Sequence, residues 1–379
     1  MAHETRRTGA RLADGREIIY FDDVTEARSP LRDERPLGPR AEAGEMRFDA
    51  LTGEWVAVAS HRQNRTFLPP PDECPLCPTG RGSVPSEVPD PAYDVVVFEN
   101  RFPSFSEGAP DVPGSAAPEP LFATVPARGR CEVVCFTSDH DGQFAQLPPA
   151  RVATVLEAWC DRTKALSRLA GVEYVFCFEN RGPEIGVTLH HPHGQIYAYP
   201  YVPARTRALL ERAREHREAT GRLLGSDVLA AELAAGSRIV LRSEHWTAYA
   251  PFASRWPVEV HLVPNRAVPD LPSLDSAERA DFAQVYPQLL RRLDLFHAAP
   301  VDAGGPDTAP IPLPYIAGWH QAPVHEGRED WRLSLQITSV LRAPGKLKYL
   351  AGSESGVGGW VTDVAPESVA ARLRDLADA

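Results

Sequence analysis

The chain has 379 residues, of which 43% are hydrophobic and 24% charged, values typical of a folded globular protein. Its 40 Lys and Arg residues and 51 Asp and Glu residues give a net charge of −11, which disfavours nucleic-acid binding because that function requires a basic surface. No apolar run approaches the roughly 18 residues that span a bilayer, and the Arg-rich segment 1–15 lacks the apolar stretch of a secretory signal. We therefore expect a cytoplasmic protein that binds neither nucleic acid nor membranes.

The N-terminal part of the chain is predicted to be an arm followed by strands and Pro-rich loops. Residues 1–45 are polar and show no period, so we interpret them as a flexible or loosely docked arm. Strand-like runs of apolar residues follow at 55–59 and 95–98. Proline accounts for 37 residues, about twice its usual share. The Pro-rich segments 67–78 and 103–126 are therefore predicted to be loops rather than helices.

The rest of the chain contains two units with the same order of predicted elements. In each unit a strand is followed by a helix with one apolar face and then by two further strands. The elements of the first unit are predicted at 131–136, 149–170, 172–178 and 195–199, and those of the second at 258–264, 276–297, 314–317 and 333–340. We interpret this order as an internal duplication. It predicts an α+β fold, a mostly antiparallel sheet with flanking helices.

This order divides the chain into four parts. After the polar arm, residues 1–45, the first unit lies within residues 46–203, and the second lies within residues 237–379. Residues 204–236 form a charged, helical connector between them. No G-x-G-x-x-G follows a predicted strand, and the segment 343–346 lacks the first glycine of a Walker A loop. We therefore expect phosphate groups to be bound in another way.

The densest group of candidate functional residues is the segment 190–197, which contains three histidines followed by Gly and Gln. Residues two apart in an extended backbone point the same way, so His191, His193 and Gln195 are predicted to share one face. Pro192 indicates an edge strand or the residue before a strand. A neutral imidazole is a good nucleophile toward phosphorus, and a neighbouring glutamine can donate to phosphoryl oxygens. The alternative is a solvated His-rich loop.

Cysteines indicate a metal site. Cys74 and Cys77 form a C-x-x-C pair in a Pro-rich loop, and such a pair can bind zinc if two more ligands are present. His140 and His191 are the best remaining candidates. A redox pair and a chance pair are the alternatives, although flanking prolines argue against the strand-to-helix setting of a redox pair. Four other cysteines are predicted to be buried small hydrophobic residues: Cys131, Cys135, Cys160 and Cys177.

The His-Pro-His-Gly-Gln motif at 191–195, with the upstream C-x-x-C and the intervening Phe-Glu-Asn, resembles the galactose-1-phosphate uridylyltransferase family. This family is a duplicated member of the histidine triad superfamily, and the resemblance extends from about residue 48 to residue 374. It implies that both units are histidine-triad-like, that His193 is the nucleophile that takes the uridylyl group, and that Gln195 stabilises the intermediate. The zinc ligands that the resemblance implies are Cys74, Cys77, His140 and His191.

The resemblance also implies a set of substrate contacts. The planar guanidinium of arginine can donate two hydrogen bonds to phosphate oxygens. Two arginines, Arg62 and Arg65, directly follow a predicted strand, and the alternative is that they lie on a solvated surface. The residues that match phosphate-contacting positions are Arg62, Arg65, Asn180 and Thr188. Those that match the pocket for uracil and ribose are Leu76, Phe98 and Asn100. Those that match positions reaching sugar hydroxyls in a dimer's site are Lys348 and Glu354.

The reaction that the resemblance implies is a ping-pong transfer by a homodimer with one structural zinc per chain. A uridylyl group passes from UDP-glucose to galactose 1-phosphate, giving UDP-galactose and glucose 1-phosphate. One alternative is a related nucleotidyltransferase or phosphorylase that uses another nucleotide, for example ADP-glucose. The other is a zinc-stabilised nucleotide-binding protein without catalysis.

Three departures from the family's pattern matter. Arg101 replaces an acid often found after the pocket asparagine, which bears on nucleotide preference, and Ser353 stands where some members carry tyrosine, which bears on the sugar. Ser334 and Gln336 occupy positions where a second metal site requires histidines, and both are far poorer ligands for a transition metal than imidazole. His320 alone remains there. We therefore predict that the second half is catalytically silent and binds no iron.

Overall fold

The computed structural model describes residues 5–23, 27–40, 43–60, 62, 69–80, 84–112, 121–298 and 312–377. Its largest element is an eleven-stranded sheet in which all neighbouring strands are antiparallel. A three-stranded sheet, a two-stranded sheet and several helices complete a mixed α+β fold. The predicted fold class is therefore confirmed. Within the described residues, no helix is both long and apolar enough to cross a membrane.

In the described part of the chain, seven strands precede the first α-helix, and strands and helices are interspersed after it. Those of the first half are β1 (Arg6–Arg11), β2 (Glu17–Asp22), β3 (Glu45–Asp49), β4 (Glu54–Val58), β5 (Val95–Glu99), β6 (Thr124–Pro126), β7 (Arg130–Cys135), β8 (Tyr174–Arg181) and β9 (His193–Tyr199). Those of the second half are β10 (Ile239–Arg242), β11 (Trp246–Tyr249), β12 (Val258–Pro264), β13 (Tyr315–His320), β14 (Ser334–Ser339), β15 (Leu341–Ala343) and β16 (Lys346–Leu347). The helices are α1 (Pro149–Leu166), α2 (Ala204–Thr220), α3 (Leu224–Ala235), α4 (Ser276–Asp294), α5 (Gly352–Val357) and α6 (Pro366–Asp375).

The order of strands in the main sheet confirms the predicted duplication. That order is β1-β2-β5-β7-β9-β8-β13-β14-β12-β11-β10. The first unit, β7-α1-β8-β9, contributes the neighbours β7-β9-β8, and the second unit, β12-α4-β13-β14, contributes β13-β14-β12. The two units meet where β8 pairs antiparallel with β13, with Arg181 opposite Tyr315. Each unit thus inserts its last strand between its first two, and one sheet joins both halves.

Helices α1 and α4 cover one face of this sheet and form the largest hydrophobic core with it. Trp319 of β13 contacts both helices, with its ring centroid 6.1 Å from that of Trp159 and 5.4 Å from that of Phe282. Helix α4 begins with a capping box in which the Asp275 carboxylate accepts from the backbone of Glu278 and the Glu278 side chain accepts in return. A cap of this kind contributes about 1 kcal/mol to stability.

The opposite face of the sheet is covered at two places. Near one edge, the loop containing Cys74 and Leu76 packs on Phe98 and other apolar residues of β2, β5 and β7. Near the other edge, Leu229 of α3 packs on Tyr249 of β11 and on β12. The middle strands between these covers, β9 and β8, carry the candidate residues His193, Gln195 and Asn180.

Two expectations about strands need correction. Residues 6–22 do not form a loosely docked arm, because β1 and β2 extend the main sheet and the apolar run 18–21 is buried on both faces of β2. The edge-strand interpretation of Pro192 is wrong, because β9 lies between β7 and β8. Pro192 instead directly precedes β9, where its missing N–H costs no ladder bond and its carbonyl accepts from the backbone of Phe136.

Candidate active site

A cavity of about 350 Å³ opens on the sheet face opposite α1 and α4. Its size is within the range typical of small-molecule sites. It lies over β7, β9 and β8, between the two covers of that face. The candidate residues that line it are Arg62, Leu76, Phe98, Asn100, Asn180, Thr188, His193 and Gln195.

Strand register explains how residues distant in sequence meet in this cavity. Phe98 of β5 lies opposite Val133 of β7, Val133 lies opposite Gln195 of β9, and Gln195 lies opposite Phe178 of β8. Paired residues face the same side, so these four side chains form one row across the floor of the cavity. Strands β5 and β9 are separated by two strand spacings, about 10 Å. The cavity therefore has an end at β5, with Phe98 and Asn100, and an end at β9 and β8, with His193 and Asn180.

The hydrogen bonds of His193 fix the tautomer of its ring. Its Nδ1 lies 2.7 Å from the backbone oxygen of His191, and because a carbonyl can only accept, Nδ1 carries the hydrogen. The lone pair is then on Nε2. Burial lowers the pKa of His193, which favours the neutral ring. The imidazole has the protonation and the orientation that a nitrogen nucleophile needs.

Gly194 permits close packing around the candidate nucleophile. A Cβ atom at this position would lie 2.8 Å from the Phe136 ring and 2.8 Å from the backbone oxygen of Phe178. Real Cβ atoms do not approach so closely, so only glycine fits between β7, β8 and the core below. The glycine of the motif is therefore required by packing at the strand that carries His193.

A chain of hydrogen bonds orients Gln195. The Arg62 guanidinium donates to the Tyr197 hydroxyl at 3.1 Å and also to the hydroxyl of Ser104. The Tyr197 hydroxyl in turn donates to Oε1 of Gln195 at 3.4 Å. With its oxygen engaged, the Gln195 amide keeps its two N–H donors for a group in the cavity. The arrangement can stabilise negative charge on a phosphoryl oxygen next to His193.

The four predicted metal ligands form one cluster. The ligand atoms of Cys74, Cys77, His140 and His191 all lie within 4.8 Å of one another. The Cys77 sulfur lies 3.3 Å from Nδ1 of His140 and 3.5 Å from Nδ1 of His191. Two sulfur and two imidazole nitrogen ligands with these separations fit a tetrahedral metal site.

The surroundings of His191 support ligation through Nδ1. Its Nε2 lies 2.8 Å from the backbone oxygen of Thr137 and 2.8 Å from the Tyr93 hydroxyl. The Thr137 carbonyl can only accept, so Nε2 carries the hydrogen and the Nδ1 lone pair faces the cluster. A hydrogen bond from the second ring nitrogen is the usual way in which a metal-bound histidine is oriented.

Two of the predicted contacts do not line the cavity, and a third is not described by the structure. Arg65 lies outside the described residues. Lys348 and Glu354 form an ion pair at 3.6 Å, but neither lines the cavity. The Lys348 ammonium donates to the backbone oxygens of Arg255, at 2.8 Å, and Val361. The predicted sugar-binding role of this pair would therefore require a second chain.

Sequence reasoning missed three polar residues that line the cavity. Tyr197 lies two residues after Gln195 and four after His193 on β9, so it shares their face of the strand, and this spacing could have identified it. Arg101 departs from the family pattern and is not among the predicted binding residues. Glu87 has no local signal, because it comes from a loop and reaches the cavity only through tertiary packing.

An arginine contacts the equivalent face of the second half. Gln336 of β14 accepts from the Arg205 guanidinium at 2.9 Å, and Ser334 lies next to it on the same face. His320 packs edge-on against Phe176 with ring centroids 5.6 Å apart. Burial and the nearby Arg205 charge lower the pKa of His320 to about 3.

Comparison with known proteins identifies the family. Models for the N-terminal and C-terminal domains of galactose-1-phosphate uridyl transferase match residues 38–203 and 210–379. The fold and the motif are thus those of a nucleotidyl-transfer protein family. The chain belongs to the galactose-1-phosphate uridyl transferase family.

Individual relatives agree with this assignment. A galactose-1-phosphate uridylyltransferase from Streptomyces lividans is 45% identical, over 98% of this chain and 98% of its own length. One from Thermotoga maritima is 35% identical, over 87% of this chain and 98% of its own. A solved structure of a uridylyltransferase superposes with a TM-score of 0.75 and 32% identity, covering 88% of this chain and 98% of that one.

Proposed function

We propose that the chain transfers a uridylyl group from UDP-glucose to galactose 1-phosphate through a covalent intermediate on His193. The observation that carries the mechanism is the tautomer of His193, whose Nδ1 donates to a backbone oxygen and leaves Nε2 as the nucleophile. Family membership and the activities of the relatives named above support the choice of substrates and a role in galactose metabolism.

In the first half-reaction, Nε2 of His193 attacks the α-phosphorus of UDP-glucose. A nitrogen–phosphorus bond forms, the bond from phosphorus to the bridging oxygen breaks, and glucose 1-phosphate leaves. The ring gains positive charge, which the hydrogen bond from Nδ1 to the His191 carbonyl stabilises. The Gln195 amide donates to the phosphoryl oxygens.

In the second half-reaction, a phosphate oxygen of galactose 1-phosphate attacks the same phosphorus. The nitrogen–phosphorus bond breaks, UDP-galactose leaves, and His193 returns to its neutral form. The leaving group of the first step and the acceptor of the second are both hexose 1-phosphates, so one subsite can hold each in turn. This equivalence explains why a ping-pong pathway needs only one cavity.

We also infer that Cys74, Cys77, His140 and His191 bind one zinc ion per chain with a structural role. Four protein ligands leave no open position for water or substrate. Bound zinc would join the loop of Cys74 and Cys77 to the residues that directly precede β9. That loop also carries Leu76 into the cavity, so the metal would hold one wall of the substrate pocket in place.

We further infer a cytoplasmic homodimer. All six cysteines are described, and none forms a disulfide, as expected in a reducing compartment. The dimer is supported by Lys348 and Glu354, which could contribute to sugar binding only in the cavity of another chain.

A labelling experiment tests the reaction. The purified protein is incubated with UDP-glucose or ADP-glucose carrying radioactive α-phosphorus, without acceptor, and then denatured. We expect acid-labile, base-stable label from UDP-glucose only, and its release as UDP-galactose when galactose 1-phosphate is added before denaturation. Label from ADP-glucose alone would favour the related adenylyl chemistry, and no label from either donor would contradict the covalent mechanism.

A further inference from the structure

A buried group of ion pairs lies behind the β5 end of the cavity. Glu87 accepts from the Arg16 guanidinium at 2.5 Å and from that of Arg35 at 3.0 Å. Each of these arginines also contacts an aspartate of its own, Asp14 at 2.7 Å and Asp33 at 2.8 Å. Two arginines and two aspartates cancel in charge, so the Glu87 carboxylate leaves this group with one net negative charge.

Arg101 supplies the matching positive charge on the cavity side. Its Nη1 lies 3.7 Å from Oε1 of Glu87, and both residues line the cavity. Its side chain is 43% exposed, whereas that of Glu87 is only 9% exposed. A guanidinium has five N–H donors and no acceptor. This ion pair, at 3.7 Å, holds the Arg101 guanidinium in place, and the other N–H groups of the guanidinium can donate to a ligand.

The position of this pair disfavours direct contact with the reacting phosphorus as its main role. Arg101 follows Asn100 at the end of β5, two strand spacings or about 10 Å from the strand of His193. The Glu87 backbone donates to the Pro75 oxygen at 2.8 Å, which fixes the carboxylate beside the Leu76 wall. Leu76 and Phe98 form apolar walls at the far end of the cavity, which suit a planar base better than a hexose, so with phosphorus at His193 the nucleoside of the proposed donor would lie there.

We propose that Arg101 binds the base of the donor nucleotide and that Glu87 positions it. The inference rests on the proposed function and concerns its choice of nucleotide. Uracil carries a carbonyl acceptor where cytosine carries an amino donor. A guanidinium can only donate, so it can form a hydrogen bond to the carbonyl of uracil. Opposite the amino group of cytosine, two donors would face each other and no hydrogen bond could form. The pair therefore favours uracil over cytosine. The turn between β1 and β2 contributes through Arg16, which contacts Glu87.

Equilibrium binding of UMP and CMP tests this inference independently of turnover. Dissociation constants are measured by calorimetry for the unmodified protein, for Arg101→Ala and for Glu87→Gln. We expect the unmodified protein to prefer UMP, and Arg101→Ala to weaken UMP binding about tenfold while changing CMP binding less than twofold. Glu87→Gln should reduce the UMP preference by a smaller factor, because the guanidinium loses its anchor.

Arg128→Ala is the matched control, because Arg128 is an exposed arginine whose ion pair with Asp111 lies outside the cavity. It should leave both dissociation constants unchanged. Equal weakening of UMP and CMP by Arg101→Ala would overturn the inference, since the guanidinium would then contact a part common to both nucleotides. An unmodified protein without preference for UMP would overturn it as well. Failure of the proposed function is seen separately, as absence of label from UDP-glucose.

Discussion

His193 shows how a single side chain acquires its chemistry from its backbone neighbours. The ring is oriented by the carbonyl of His191, only two residues away, while the ring of His191 belongs to the metal cluster. One short segment therefore contributes both a metal ligand and the candidate nucleophile. Gly194 between His193 and Gln195 has no space for a side chain.

Replacing His193 by asparagine should abolish covalent labelling and leave the fold intact. Asparagine approximates the size of imidazole but cannot form the nitrogen–phosphorus bond, so we expect activity to fall by at least about a thousandfold. Labelling with UDP-glucose and thermal melting measure the two effects. His190→Asn, at an exposed position in the same motif, is the control and should label normally. Full activity of His193→Asn would refute the mechanism.

Tyr197→Phe should slow labelling about tenfold without unfolding the protein. The hydroxyl links the Arg62 guanidinium to Oε1 of Gln195, and its loss frees the amide from the orientation that directs its donors into the cavity. Rates of label incorporation under single-turnover conditions measure the effect. Tyr199→Phe, two residues further along β9, is the matched control. Equal rates for Tyr197→Phe and the unmodified protein would show that Gln195 needs no such orientation.

At the scale of elements, β9 and the Cys74–Cys77 loop together build the pocket. Strand β9 lies between β7 and β8 and displays His193, Gln195 and Tyr197 on one face. The loop covers the neighbouring strands and contributes Leu76 as a wall. The metal cluster joins these two elements, because it takes ligands from the loop and from the residue preceding Pro192.

Gly194→Ala should destabilise the protein by about 1–3 kcal/mol, because the new methyl group would overlap the Phe136 ring and the backbone of Phe178. Denaturant unfolding measures the change in free energy. The control is Gly9→Ala on edge strand β1, where the nearest atom to a new Cβ lies 4.0 Å away. A Gly194→Ala variant as stable as the Gly9→Ala variant would contradict the close packing.

Cys74→Ser should lower both the zinc content and the melting temperature. The loss of one of four ligands weakens binding, and binding energy of a structural metal is also folding energy, so we expect a decrease of about 5 °C or more. Metal analysis and calorimetry measure the two quantities. Cys160→Ser is the control, since Cys160 lies in the core and contacts the Leu271 oxygen. Unchanged metal content in Cys74→Ser would contradict the ligand assignment.

For the whole molecule, the duplication explains why one half carries the chemistry. Both units place their last strand between two others, so β9 and β14 occupy equivalent positions in one continuous sheet. Strand β9 presents His193 and Gln195, while β14 presents Ser334 and Gln336 next to the Arg205 guanidinium. A cation on this face of the second half opposes binding of a metal ion there.

The purified protein should therefore contain zinc at about one ion per chain and almost no iron, even after growth with ample iron. Serine and glutamine are weak ligands, and His320 alone does not form a site. Elemental analysis by mass spectrometry measures both metals. Stoichiometric iron that disappears in His320→Ala would show that the second half keeps a metal site with other ligands.

The sequence by itself determined the features encoded by contiguous residues. The alternation of strand residues placed His193 and Gln195 on one face, and both line the cavity. The repeated order of elements predicted the duplicated sheet, and the C-x-x-C pair indicated two members of the metal cluster. The periods of helices and strands and the spacing of short motifs are local, so they can be recognised without knowing the fold.

Tertiary structure alone decided which distant residues meet. Glu87 and Arg101 reach the cavity because a loop packs against the end of β5, and Arg16 joins them from the turn between β1 and β2, two strands that show no period of their own. The short run 18–21 has too few residues to reveal a strand buried on both faces. Strand pairing between segments far apart in the chain leaves no local pattern, since its energy comes from partners that the sequence does not place side by side.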